Sequence, residues 1–246
     1  MLNLRLEFTK LKRRSFLLSL VVLISVLLMW SAVVIQSEWP KTHSVFNPLY
    51  DMAEMNDIIM PLFIAVLASR LLEMEHLGKT FKILQTSKES PWQLFKAKLA
   101  LMMIFNLFVG IIQTVFVKLL IKGLGSSVSL MQLMFSLVSF VLVSLVLSCL
   151  HLSLAFVYEK ASVTVVTGLV GSFLSLVGIG ALPFAIRFFI PWQYFSMMGL
   201  ARRIADAHTY LFKYDTSFPL KTVALLAIVI FSIYLSRRAT RKADLL

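Results

Sequence analysis

The sequence predicts an all-α membrane protein: six transmembrane helices preceded by an interfacial helix, with both termini on the cytoplasmic side. Three observations carry this expectation. Of 246 residues, 59% are hydrophobic and only 15% are charged, whereas soluble domains run at about 45–50% apolar and about 25% charged. The apolar residues fall into runs of the length that crosses a bilayer, about 20 residues each. The basic residues, which give a formal charge of +12, stand at the ends of those runs and unequally on the two sides. That pattern sets membrane orientation and argues against a nucleic-acid face.

Taken in order, residues 1–15 open with "LNLRLEFTKLKRR", where Leu4, Phe8 and Leu11 share one helical face and Arg5, Lys12 and Arg13 lie off it. Apolar burial plus attraction to anionic lipid would hold such a helix in the inner interface. The run Phe16–Ile35 is longer than the core of a signal peptide and is followed by no small-x-small cleavage site, so it reads as the first span. The spans are expected at about 16–35, 55–72, 99–121, 128–150, 161–183 and 219–236, all within one transmembrane domain covering 1–246. The second is short, contains Pro61 and ends on Arg70. A helix starting near Met52 with a snorkelling arginine makes up the length, and a re-entrant hairpin is the alternative. Between spans two and three lies a charged loop, 73–98, "EMEHLGKTFKILQTSKESPWQLFKAK". The longest outer loop, 184–218, is rich in aromatics and broken by Pro191. It is expected to rest in the outer headgroup region as short amphipathic helices.

With six spans, sixteen of the 24 lysines and arginines fall on the side of the termini and of the 73–98 loop. That two-to-one excess places the loop in the cytoplasm. The single cysteine, Cys149, lies in an apolar run, which leaves no intramolecular disulfide and no cysteine metal cluster.

Several chemistries fail on spacing. Glu73 and His76 share a helical face, but Glu75 does not join them and no second histidine stands at HExxH spacing, so no metal site is expected. "GKT" at 78–80 resembles the end of a phosphate loop, yet Glu73 stands where the leading glycine belongs, and its carboxylate would repel phosphate. Cys149 and His151 stand two positions apart, at an inner membrane edge by the expected spans, with no carboxylate near to orient them, which argues against nucleophilic catalysis. No expected span holds an Asp or Glu near its centre, against a proton- or sodium-coupled carrier. A glutamate-type intramembrane protease needs Glu and His facing one cavity within the membrane, and here the glutamates fall in a loop.

Two patterns remain. Asn106 and Gln113 share a face of the third span and serve either interhelical hydrogen bonding or a transport pathway. In the fifth span Thr164, Gly168, Gly171, Ser175 and Gly178 recur at intervals of three or four. Such a small-residue face lets backbones approach closely, either within the chain or against a second membrane subunit.

The layout, with three stretches of sequence, resembles type-2 ATP-binding-cassette exporter permeases. "LRLEFTKLKRRSF" is similar to the family's amphipathic start, with Glu7 and Lys10 in the usual kind of positions. "ASRLLEMEHLGKTFKILQTSKESPWQLFKAKL" is similar to a family loop of the form E…G-T-x-K-x-L…S…K, filled by Glu75, Gly78, Thr80, Lys82, Leu84, Ser87 and Lys98, with Lys79 interrupting the Gly–Thr pair. "FFIPWQYFSMM" is similar to the outer segment of the lantibiotic-immunity branch. The resemblance implies a non-catalytic subunit in the bacterial cytoplasmic membrane. It would bind no cofactor itself, pair with a second, related permease, and work with two ATPase subunits that bind ATP and magnesium. In that branch two different permeases move an antimicrobial peptide from the membrane to the medium, whereas other type-2 permeases carry drugs, lipids, glycans or ions on the same layout. Coupling to the ATPases is expected on Glu73, Glu75, Gly78, Lys79, Thr80, Lys82 and Ser87, their charges solvated and offered for docking. Substrate contact is expected at the outer ends of the spans, on Phe188, Phe189, Trp192, Tyr194 and Phe195, for which an aromatic anchoring belt is the alternative.

Overall fold

The computed structural model describes residues 16–77, 90–178, 182–205 and 210–243. The interfacial helix expected at 1–15 lies outside the described residues. Six helices are long and apolar enough to span a bilayer: α1 (Phe16–Thr42), α2 (Phe46–Leu77), α3 (Pro91–Gly123), α4 (Leu130–Val157), α5 (Ala161–Gly178) and α8 (Phe218–Ala243). Between α5 and α8 come two four-residue helices, α6 (Phe184–Arg187) and α7 (Tyr194–Met197), the latter entered through a 3₁₀ turn at Pro191–Gln193. An antiparallel hairpin, β1 (Ala201–Ala205) with β2 (Tyr210–Tyr214), follows. The chain is therefore an all-α multi-pass membrane protein with one small hairpin. We call the end of the bundle at Phe16, Leu77 and Pro91 basal, and the opposite end the hairpin end.

Local sequence sets the helix boundaries. The chain leaves α1 at His43, whose φ of 46° turns it in the left-handed region, and its N–H returns to the Trp39 carbonyl at 3.0 Å. Pro91 stands at the first position of α3, where its missing N–H costs nothing, and the Gln93 side chain reaches back to the Ser90 N–H at 3.3 Å. Gly125, at φ 76°, lets α3 close with Ser126 N–H bonded to the Ile121 carbonyl at 3.1 Å, a turn that favours glycine. At the start of α4 the Ser129 hydroxyl accepts from the Met131 N–H at 3.2 Å, and the Gln132 side chain accepts from the Ser129 N–H at 3.0 Å, a capping box.

The second span is a continuous 32-residue helix, long and apolar enough to cross a bilayer, with no hairpin break in it. It begins nine residues before the expected 55 because Asn47, Asp51 and Glu54, like Asn56 and Asp57 after them, are buried in the bundle. Their polarity hid a helix that needs no lipid contact there. α2 is the central element: 72% of its most apolar stretch is buried, against 50% for α4 and at most 39% for the others. It packs on α1, α3, α4 and α5. The outer helices turn rows of apolar residues outward, such as Leu18, Met29 and Val33 on α1 and Leu220, Ile230 and Phe231 on α8, as acyl chains require.

The small-residue face of α5 packs inside the chain. A Cβ on Gly168 would stand 2.9 Å from the Pro61 carbonyl oxygen and clash with Ala65; one on Gly171 would lie 2.5 Å from the Trp192 indole. Gly178 faces the Gln193 side chain, and Thr164 and Ser175 are fully buried. Between the two readings of this face, helix packing is the one that the contacts support.

Candidate functional site

Two regions concentrate polar chemistry, one at each end of α2. At the basal end the last turns of α2 carry Arg70, Glu73, Glu75 and His76. Arg70 and Glu73 form an ion pair at 2.7 Å with side chains 47% and 25% exposed, a geometry that contributes little stability. Glu75 differs. Its carboxylate accepts from Lys98 Nζ at 2.8 Å with both side chains essentially sealed from solvent, at 3% and 0% exposure. Beside it, His76 Nε2 meets the Ala155 carbonyl near the end of α4 at 2.9 Å. The expectation of a solvated, docking carboxylate at Glu75 is thereby corrected: the i, i+2 offset from Glu73 turns Glu75 to the packed side of α2. Gly78, Lys79, Thr80, Lys82 and Ser87 lie outside the described residues. Glu75 and Lys98, the first and last residues of the E…K loop pattern, are thus brought together and tie α2 to α3 on either side of residues 78–89.

Towards the hairpin end, the segment expected to rest in the headgroup region instead inserts between helices. Trp192 reaches partway down the bundle, its indole against Gly171 of α5, and its Nε1–H donates to His151 Nε2 of α4 at 3.2 Å. An accepting Nε2 places the proton of a neutral imidazole on Nδ1. His151, expected at a membrane edge, is fully buried and helps to fix this turn. Gln193 donates to the Leu174 carbonyl at 3.0 Å and accepts from Arg187 Nε at 2.8 Å. Phe195 lies against Phe140 at 5.3 Å between ring centroids.

Asp57 of α2 keys this insertion. One carboxylate oxygen accepts from the Phe195 N–H at 2.8 Å, and both oxygens accept from the Ser196 N–H at 3.3 Å. The Ser196 hydroxyl donates a further short bond to Asp57, and Arg187 Nη2 donates to that hydroxyl oxygen at 3.1 Å. Asp57 was missed because the expected spans held no central carboxylate. Its only sequence signal is the i, i+3, i+6 row Asp51, Glu54, Asp57, which spacing alone leaves indistinguishable from a solvated face.

The five aromatics expected to touch substrate divide accordingly. Tyr194 and Phe195 are buried and Trp192 is half-buried against the core, whereas Phe188 and Phe189 are exposed, the latter by 83%. Tyr194 donates its hydroxyl to the Phe188 carbonyl at 2.7 Å. Both expected polar residues of α3 make interhelical hydrogen bonds. Gln113 and Asn56 exchange two amide bonds of 2.9 Å, and Asn106 donates to Ser148 at 3.0 Å. A cleft of about 60 Å³ opens beside the Asn56–Gln113 pair, between α2, α3, α4 and the turn at Gly199.

Below the hairpin, Asp215 accepts from Lys221 Nζ at 2.6 Å and from Ser217. Burial pushes this carboxyl up, but the bonds from Lys221 and Ser217 prevail and hold it below its ordinary 3.8. Its contribution to stability is therefore present above that value and is lost as pH falls through the depressed one.

The described residues thus form a six-span bundle with charged side chains at its basal end. Residues 3–175 match the family described as ABC-2 family transporter protein, and the chain belongs to it. Members of that family are membrane transport components that work with an ATPase partner. Comparison with curated proteins finds no match.

Proposed function

We propose that the chain is the permease subunit of an ATP-driven exporter in the bacterial cytoplasmic membrane, with its basal end and both termini in the cytoplasm. Two ATPase subunits, which bind the ATP and magnesium, dock on residues 73–90 and act with a second, related permease. The cargo is a lantibiotic-type antimicrobial peptide, expelled from the membrane for immunity of the producer. The observation that supports this reading is the sealed Glu75–Lys98 pair. A push on the charged segment between these residues would reach α2 and α3 together rather than dissipate in a free loop. Glu73, Gly78, Lys79, Thr80, Lys82 and Ser87 supply the docking contacts, and Glu75 passes the motion on.

Two measurements test it. The chain co-expressed with the ATPase encoded beside it should purify as a complex. In that complex Gly78→Pro or Glu73→Lys should abolish peptide-stimulated ATP hydrolysis while membrane insertion stays normal. Full stimulation in both variants would remove the coupling assignment.

The peptide class rests on likeness of "FFIPWQYFSMM" to the immunity branch. Of its aromatics, Phe188 and Phe189 stand free to meet an amphipathic cationic peptide by apolar and cation–π contact. Replacing both by Ala should lower peptide tolerance of producing cells at least several-fold at unchanged membrane abundance, the two contacts being worth roughly 0.5–1 kcal/mol each. Unchanged tolerance would leave these rings as membrane anchors.

A further inference from the structure

The hairpin offers a charge arrangement that the export reading does not use. In its register Arg203 pairs with Phe212, Arg202 with Lys213, and Ile204 with Leu211. Successive pairs point to opposite faces. The Arg203–Phe212 pair faces the bundle. The Phe212 ring lies 5.6 Å from that of Tyr50, the Arg203 guanidinium sits 5.4 Å over the same ring, and Arg203 meets Glu54 at 3.3 Å. Ser44 adds a hydrogen bond to the Phe212 carbonyl at 3.0 Å. The face turned away from the bundle must then carry Arg202 and Lys213, directly opposite one another and exposed, followed towards the tip by Ile204 and Leu211.

Like charges directly opposite across a strand pair destabilise it. No ion pair joins Arg202 or Lys213 to a carboxylate among the described residues. A firmly seated hairpin that keeps two unneutralised cations side by side, next to an apolar pair, is complementary to an anion joined to a hydrocarbon. At the end of a membrane bundle, that chemistry is an anionic phospholipid. We infer that the outward face of the hairpin binds the headgroup phosphate of an anionic phospholipid between Arg202 and Lys213, with Ile204 and Leu211 against its first acyl carbons. This needs only the multi-pass fold and is independent of the cargo.

The test is native mass spectrometry of the full chain titrated in mixed micelles with phosphatidylglycerol or phosphatidylcholine. The Arg202→Gln/Lys213→Gln double variant should weaken the tightest phosphatidylglycerol site by about 30-fold, since each basic residue near anionic lipid contributes roughly 1 kcal/mol and 1.4 kcal/mol is tenfold. Phosphatidylcholine binding should not change, and Arg202→Lys should retain most of the affinity. Both side chains are exposed, so the double variant loses a repulsion and should melt no lower than the wild type in phosphatidylcholine. Only the wild type should be stabilised further by phosphatidylglycerol. Equal phosphatidylglycerol affinity in variant and wild type would overturn the site. So would equal wild-type affinity for the two lipids, or displacement of the lipid by millimolar inorganic phosphate, which would assign these cations to a free anion.

Discussion

Lys98→Met should be among the most damaging single substitutions in the chain, lowering stability by about 3–5 kcal/mol, because it breaks a charge pair sealed from solvent. Glu75 would keep its carboxylate buried, 3% exposed, and lose the 2.8 Å contact to Lys98. Glu75→Gln/Lys98→Met removes both charges and should recover most of the loss, since buried pairs replaced by neutral groups of similar volume are often neutral in stability. Denaturant or thermal unfolding in detergent measures this, and a Lys98→Met protein as stable as wild type would refute the sealed pair. The double variant also separates two roles. If the pair only holds the bundle together, the restored protein should transport normally. If it passes motion from residues 78–89 into α2 and α3, the double variant should be stable and membrane-inserted, yet lose peptide-stimulated ATP hydrolysis in the assembled complex.

Which features could be read from the sequence depended on whether the physics was local. The spans of α1, α3, α4, α5 and α8 were visible because each is an apolar run bounded by charge or by turn residues, and lipid imposes its length on them. The face containing Gly168 and Gly171 was visible as helical spacing, although its partners, Pro61, Ala65 and Trp192, were not. Hidden features were those where burial is supplied by other parts of the chain. Asp51, Glu54 and Asp57 argued for water until the inserted turn and the hairpin were seen to cover them. Glu75 and Lys98 are 23 residues apart and become a pair only when α2 and α3 run side by side. The aromatics of "FFIPWQYFSMM" carry the composition of a headgroup belt, and nothing local tells Trp192, which reaches His151, from Phe189, which faces out. The hairpin left no period-2 trace, since Arg202 and Arg203 are both cationic and Leu211 and Phe212 both apolar. Five-residue strands are too short to outweigh an expectation of interfacial helices.

Asp57→Leu should release the inserted turn while leaving the helices in place. The carboxylate receives the Phe195 and Ser196 N–H groups and the Ser196 hydroxyl, and bonds to a charged group are each worth about 1.5–3 kcal/mol. A leucine of similar size accepts none of them. Three donors are then stranded beside Phe140 and Arg187, and the cheapest relief is for residues 191–198 to leave the bundle. A loss of about 3–5 kcal/mol is therefore expected, and Asp57→Asn should cost less, because its one remaining carbonyl oxygen still accepts two donors. The discriminating measurement is hydrogen exchange in detergent or nanodiscs. The amides of Phe195 and Ser196 should lose protection by at least a hundredfold in Asp57→Leu, while those of Leu101–Val109 in α3 keep theirs. Uniform loss across all helices would mean that Asp57 supports the bundle as a whole, and unchanged protection at Phe195 would mean that Trp192 and Gln193 hold the turn without it. The first result alone makes the insertion a separable unit, and only a separable unit can withdraw and reinsert during transport without dismantling the α2–α5 contact at Gly168.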